Sequence, residues 1–355
     1  MKFRIGTITV RDAIGTIIVM VVVLIAVKTY YRHPLGRIWE HVPAAVRAAA
    51  ADQDGPIETP PLPDIGPGRE IEPGVMFHEV RLPGGDKPGF AGKLWLYLPS
   101  GDHADQSLPC VLITAGGSNL LEGIHLSEYT RAEQLPYVRA GFAVLAYELD
   151  GALPGGRNAS EAEMLEQHKE AMARFLAARA GLVNAHVALQ FVLKKVPQVD
   201  PRRIYTAGHS SAATTAMLFA EHEPTIRGCA AYAPAINLVK HFGAEVVQIL
   251  HGAALDDLTV RHAPINHESK LSCPILLFHA RDDGTVPVAD TEACAERLNT
   301  LGKSVTLVVV PSGGHNDSMI REGIPRGIAW LLELAGPAAA VTADEAKSSR
   351  ASSSP

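Results

Sequence analysis

Cysteine is scarce in this chain: four in 355 residues, Cys110, Cys229, Cys273 and Cys294. None stands in a CxxC pair, which argues against a zinc knuckle or a dithiol redox motif. Three of them, Cys110, Cys229 and Cys273, lie in or beside apolar strand-like runs, where a free thiol behaves as a small hydrophobe. A disulfide stays open as a reading if the domain is exported. Positive charge is not in excess either. Lys and Arg number 32 against 38 Asp and Glu, a net charge of −6. That balance leaves no electrostatic footprint for nucleic acid. No H-E-x-x-H or similar metal spacing occurs, and neither a metal nor a cofactor is expected. The sequence has no internal repeat and no signal for oligomeric state.

Long apolar runs are almost absent too, with one exception at the N-terminus. Ala13–Val27 carries no charge, somewhat short of the about 20 residues a bilayer span needs. Carried on to Tyr31 the stretch suffices, since Lys28 can snorkel and Tyr30 and Tyr31 suit the membrane interface. The run ends V-K-T-Y-Y-R-H, without the small residues of a cleavage site. Residues 1–31 therefore read as an uncleaved signal anchor, and the protein as a single-pass membrane protein. Lys2, Arg4 and Arg11 before the span nearly balance Lys28, Arg32 and Arg37 after it. The following domain is expected on the extracytoplasmic side.

Residues 32–74 read as a Pro/Gly-rich linker, most clearly in I-E-T-P-P-L-P-D-I-G-P-G-R-E-I-E-P-G. Residues 336–355, mostly alanine, serine and charge, read as a disordered tail. Between them, residues 75–335 form one domain of alternating patterns. F-H-E-V-R-L (77–82) and K-L-W-L-Y-L (93–98) suggest an edge hairpin. Apolar runs at 111–114, 142–149, 203–208, 226–232, 274–280 and 305–310 read as buried strands. Helical patterns fall at 135–140, 161–196 with an interruption near Gly181, 211–221, 289–301 and 319–334. Such alternation implies an α/β fold: a mostly parallel sheet of about eight strands with helices on both faces. Residues 235–271 are expected to add a small helical cap.

The chemistry is concentrated in I-Y-T-A-G-H-S-S-A-A-T-T-A, residues 204–216. A strand pattern ends at Gly208, and a helix of small residues begins two serines later. In a parallel sheet, ligands sit beyond the carboxyl ends of the strands. The spacing G-x-S-x-A (Gly208, Ser210, Ala212) is that of a sharp strand-to-helix turn that lifts a serine hydroxyl above the sheet. Only the Ser210 register puts a glycine two residues ahead, so Ser210 is the candidate nucleophile. His209 is expected to pack beneath the turn.

A serine hydroxyl needs a base, and the base an orienting acid. After the strand at 274–280 comes R-D-D-G-T-V-P-V, and after 305–310 comes P-S-G-G-H-N-D-S. His315 is the candidate base, with Gly313 and Gly314 letting its loop bend. The acid is Asp282 or Asp283, with Asp283 preferred because it begins D-x-x-V-P. The backbone N–H of Ser211 is one candidate oxyanion donor. Gly116, Gly117 and Ser118, after the strand at 111–114, are candidates for the second. His125, His262 and His267 are possible pocket-lining groups without an assigned role.

With these residues in view, the sequence resembles the α/β-hydrolase superfamily, and within it the catalytic domain of the prolyl oligopeptidase family. The stretches that carry the resemblance are V-D-P-R-R-I-Y-T-A-G-H-S-S-A-A, F-H-A-R-D-D-G-T-V-P-V and P-S-G-G-H-N-D-S-M-I. It spans roughly residues 75–335. It implies an α/β-hydrolase fold with Ser210 as nucleophile, Asp283 as acid and His315 as base. It also implies a small ester or short peptide as substrate, cleaved through an acyl-enzyme. The chain departs from the family in two places. An anchor and linker stand where the family usually carries a β-propeller, and Thr114 stands where many members place an oxyanion-hole tyrosine. An esterase, an acyltransferase or a non-catalytic binder on the same scaffold are the rival readings.

Overall fold

The computed structural model describes residues 55–154, 160–242 and 261–336. Nine strands form one sheet in the order β1-β2-β3-β5-β4-β6-β7-β8-β9. They are β1 (Arg69–Glu72), β2 (Val75–Arg81), β3 (Lys93–Pro99), β4 (Leu108–Thr114), β5 (Ala143–Tyr147), β6 (Val199–His209), β7 (Cys229–Tyr232), β8 (Ile275–Ala280) and β9 (Val305–Val310). From β5 to β9 every neighbouring pair is parallel, whereas β1, β2 and β3 join antiparallel. The sheet thus has one strand more than the sequence suggests. The extra one, β1, lies inside the stretch read as a linker. R-E-I-E has too much charge to look like a strand. It pairs because β2 offers an open edge, and Gly74, at φ 86°, turns the chain back on itself.

Seven helices cover the sheet: α1 (Arg131–Arg139), α2 (Glu161–Ala177), α3 (Leu182–Lys195), α4 (Ser211–His222), α5 (Leu238–Phe242), α6 (Val288–Thr300) and α7 (Ile324–Ala335), counted among the described residues. Central strands β4, β5 and β8 are buried throughout, as unbroken apolar runs require when both faces are covered. Alternation along β4 divides the core. Cys110 and Leu112 pack with α2, α3, α4 and α6, while Val111 and Ile113 pack with α1 and α7. All four cysteines are free and buried.

The break expected near Gly181 is a run of left-handed residues, Arg179, Ala180 and Gly181, that separates α2 from α3. The pattern at 319–334 is one wide turn, Met319–Gly323, leading into α7. Of the expected cap, α5 and two single helical turns at Pro264–Asn266 and Glu268–Lys270 are seen. Residues 243–260 of the cap lie outside the described residues. So do the anchor at 1–31, the linker before residue 55 and the tail from residue 337. Among the described residues no single helix is long and apolar enough to cross a membrane.

Candidate active site

Ser210 sits at the junction of β6 and α4 with φ 58° and ψ −123°. A non-glycine residue held there costs about 1–3 kcal/mol, which the surrounding packing must supply. The turn is tight enough to exclude any side chain at Gly208. A Cβ added there would lie 2.4 Å from the carbonyl carbon and oxygen of Ala212. The amide of Ser210 donates to the Tyr232 carbonyl at the end of β7, 2.8 Å away. Small residues at 212 and 213 keep the first turn of α4 against the strand, both fully buried. The hydroxyl-bearing residue therefore heads a helix whose N-terminus favours developing negative charge.

Asp283 follows β8 and His315 follows β9, so neighbouring strands deliver both to the rim that carries Ser210. Nδ1 of His315 lies 2.7 Å from Oδ2 of Asp283. Oδ1 of Asp283 accepts the backbone N–H groups of Thr285 and Val286 at 2.8 and 3.0 Å. Burial pushes this carboxyl up. The hydrogen bond from His315 and the two amides outweigh burial and hold it below its ordinary value. Asp282, the other candidate acid, instead accepts the amides of Gly313 and Gly314 at 3.1 and 2.8 Å. It pins the loop that bears His315. Gly313 and Gly314 take φ 120° and 60°, the bend expected of them.

Two histidines at this site escaped the sequence analysis as partners. His279, wholly buried in β8, points Nε2 at Asp283 Oδ2 (3.1 Å) and the Val286 carbonyl (3.0 Å). Its Nδ1 takes the Thr291 hydroxyl at 2.7 Å. Burial pushes its pKa down against the pull of Asp283. His209 packs beneath the turn as expected, and its Nε2 also donates to the His315 carbonyl at 2.8 Å.

The loop after β4 lies against the nucleophile turn. At Gly116 a Cβ would come within 2.9 Å of the His209 carbonyl, so glycine permits the approach. Gly117 adopts φ 97°. Ser118 departs from its expected part as an oxyanion donor. Its N–H is already given to the Ser211 hydroxyl at 3.0 Å, so it ties the loop to α4. The Thr114 hydroxyl donates to the Tyr147 carbonyl at 2.9 Å and faces β5. The amides of Gly116, Gly117 and Ser211 remain the candidate donors.

The remaining histidines scatter. His125 contacts the buried Glu148 at 3.2 Å beside a cavity of about 270 Å³ beyond β5, also lined by Asp150, Glu170 and Arg174. His267 meets His222 edge to face at the far end of α4 from Ser210, and His262 is buried. Among the described residues no group of three or more His, Cys, Asp or Glu is placed to hold a metal ion.

The sheet and its rim have an α/β-hydrolase-like fold. Residues 181–337, the stretch that carries Ser210, Asp283 and His315, match the sequence model described as "Prolyl oligopeptidase family". A comparison with curated proteins finds no match. Among solved structures, an acylaminoacyl peptidase of Pyrococcus horikoshii is similar at 14% identity and TM-score 0.52, over 72% of this chain and 40% of that one. Acetyl xylan esterase 1 from Thermoanaerobacterium sp. JW/SL YS485 is similar at 14% identity and TM-score 0.57, over 86% and 99%. An S-formylglutathione hydrolase from Agrobacterium tumefaciens is similar at 15% identity and TM-score 0.54, over 77% and 100%. This chain thus spans two-fifths of the length of the peptidase and the whole of the esterase fold.

Proposed function

We propose that the protein cleaves a small ester or a short peptide through an acyl-enzyme on Ser210. His315 takes the Ser210 proton as the hydroxyl attacks the carbonyl, and returns it to the leaving group. Asp283 holds the imidazole with Nδ1–H toward itself, which leaves Nε2 as the basic nitrogen. The amide of Ser211 and those of Gly116 and Gly117 face the developing oxyanion. Water then attacks the acyl-enzyme, with His315 again the base. The observation that carries this reading is the 2.7 Å contact between His315 and an ionised, buried Asp283 at the rim bearing a left-handed serine.

Esterase activity is the reading we favour over peptide cleavage. The Thr114 hydroxyl is engaged with Tyr147, so backbone amides must carry the oxyanion alone, and an ester is the easier bond to break. Anchoring through residues 1–31 belongs to the same proposal and rests on the uncharged stretch Ala13–Val27. The test is labelling by a fluorophosphonate probe, followed by a panel of esters and aminoacyl-proline amides. Labelling of the wild type and none in Ser210→Ala supports the mechanism. Equal turnover in the two proteins refutes it.

A further inference from the structure

His209 and Glu133 take no part in the reaction just described, yet they meet directly behind it. His209 is 4% exposed and immediately precedes Ser210. Its Nε2 lies 2.8 Å from the main-chain oxygen of His315, across 106 residues of sequence. A carbonyl only accepts, so Nε2 carries a proton. The other nitrogen, Nδ1, faces Oε1 of Glu133 on α1 at 3.7 Å. Oε2 of that carboxyl is buried without a hydrogen-bond partner. The two imidazoles pack against each other at a tilt, their centroids 4.5 Å apart and their planes inclined by 43°.

His315 is thus held at two points. Asp283 grips the ring, and His209 grips the main chain. The second grip comes from the residue bonded to the nucleophile itself, so it ties the main chain of the base to the nucleophile turn. The loop needs such a grip, because Gly313 and Gly314 leave its own backbone permissive. We infer that His209 is a positioning residue that clamps the main chain of His315 to the nucleophile turn. The inference rests on the triad reading above.

Variants at position 209 separate a clamp from a filler. His209→Phe keeps a ring and removes the donor. His209→Gln places an amide donor near the former Nε2. The readouts are kcat and KM for p-nitrophenyl acetate, the rate of fluorophosphonate labelling, and the thermal midpoint. A misplaced base lowers kcat and labelling about 10- to 100-fold with little change in KM, and H209F is expected to show this. H209Q is expected to recover most of the loss. His209→Asn, whose shorter amide matches Nδ1 rather than Nε2, serves in place of H209F if the latter does not fold. An H209F enzyme with wild-type kcat, or an H209Q enzyme as slow as H209F, overturns the clamp. Wild-type protein that is folded but resists labelling overturns the triad reading and the clamp with it. Normal wild-type labelling alongside an indifferent position 209 overturns the clamp alone.

Discussion

Oδ2 of Asp283 accepts two imidazoles at once, His315 Nδ1 at 2.7 Å and His279 Nε2 at 3.1 Å. One histidine sits at the rim, 12% exposed at its side chain, and the other is sealed in β8. Together with the amides of Thr285 and Val286 they satisfy the carboxylate on both oxygens. A buried charge needs that satisfaction to stay ionised.

Removal of this charge is expected to stop the reaction without unfolding the protein. In Asp283→Asn the amide fits the same space, but it no longer enforces Nδ1–H on His315. Fluorophosphonate labelling should fall by about 10³- to 10⁴-fold, comparable to other triads deprived of their acid. Asp282→Asn should retain most of the activity and lose some loop stability. Equal losses in the two variants would reverse the assignment.

His279 is expected to matter chiefly for stability. In His279→Leu, Asp283 loses one donor and the Thr291 hydroxyl loses its acceptor. Loss of buried hydrogen bonds of this kind costs about 1–3 kcal/mol each. Chemical denaturation of H279L should show a deficit of that size, with labelling reduced about tenfold or less. A variant as stable as the wild type would show that the buried imidazole is dispensable.

Strain at the nucleophile predicts a trade between stability and activity. Ser210→Gly relieves the positive φ and should raise stability by about 1 kcal/mol while abolishing labelling. Gly208→Ala acts in the opposite sense. Its methyl group would collide with the backbone of Ala212, which costs about 1–3 kcal/mol or more. Thermal unfolding of the two variants, run beside Ser210→Ala, checks both signs.

The buried histidines are expected to withdraw stability from the fold as the pH falls below neutrality. Burial holds His267 near pKa 4, and it lowers His222, His241 and His279 as well. An unfolded imidazole titrates near 6.5. Below about pH 6.5 the unfolded chain binds protons that the folded chain refuses, so stability falls from there toward pH 4. Above pH 7 these groups contribute no slope. Asp283, held low, adds its own loss only under stronger acid. Urea midpoints between pH 4 and 8 measure the trend, and His267→Asn should flatten it.

The local features were legible because they are written in neighbouring residues. Gly208, Ser210 and Ala212 describe the turn by themselves, since only small residues fit within it. The unbroken apolar runs at β4, β5 and β8 announced strands covered on both faces. The stretch R-E-I-E did not announce β1, because its pairing depends on the open edge of β2 rather than on its own pattern. The amide of Ser118 could not be excluded as an oxyanion donor from sequence, because its acceptor on Ser211 is far away along the chain.

What the sequence determined on its own is the order of elements and the kinds of group at each strand end: a hydroxyl, then a carboxylate, then an imidazole. Periodicity and turn chemistry are local, so they survive without a fold. Only the tertiary structure decided which nitrogen meets which oxygen. It set Asp283 rather than Asp282 against His315, placed His279 on the same carboxylate, and brought His209 to the main chain of His315. Those choices depend on distances across packed strands, which become defined only when the sheet closes both faces of its core.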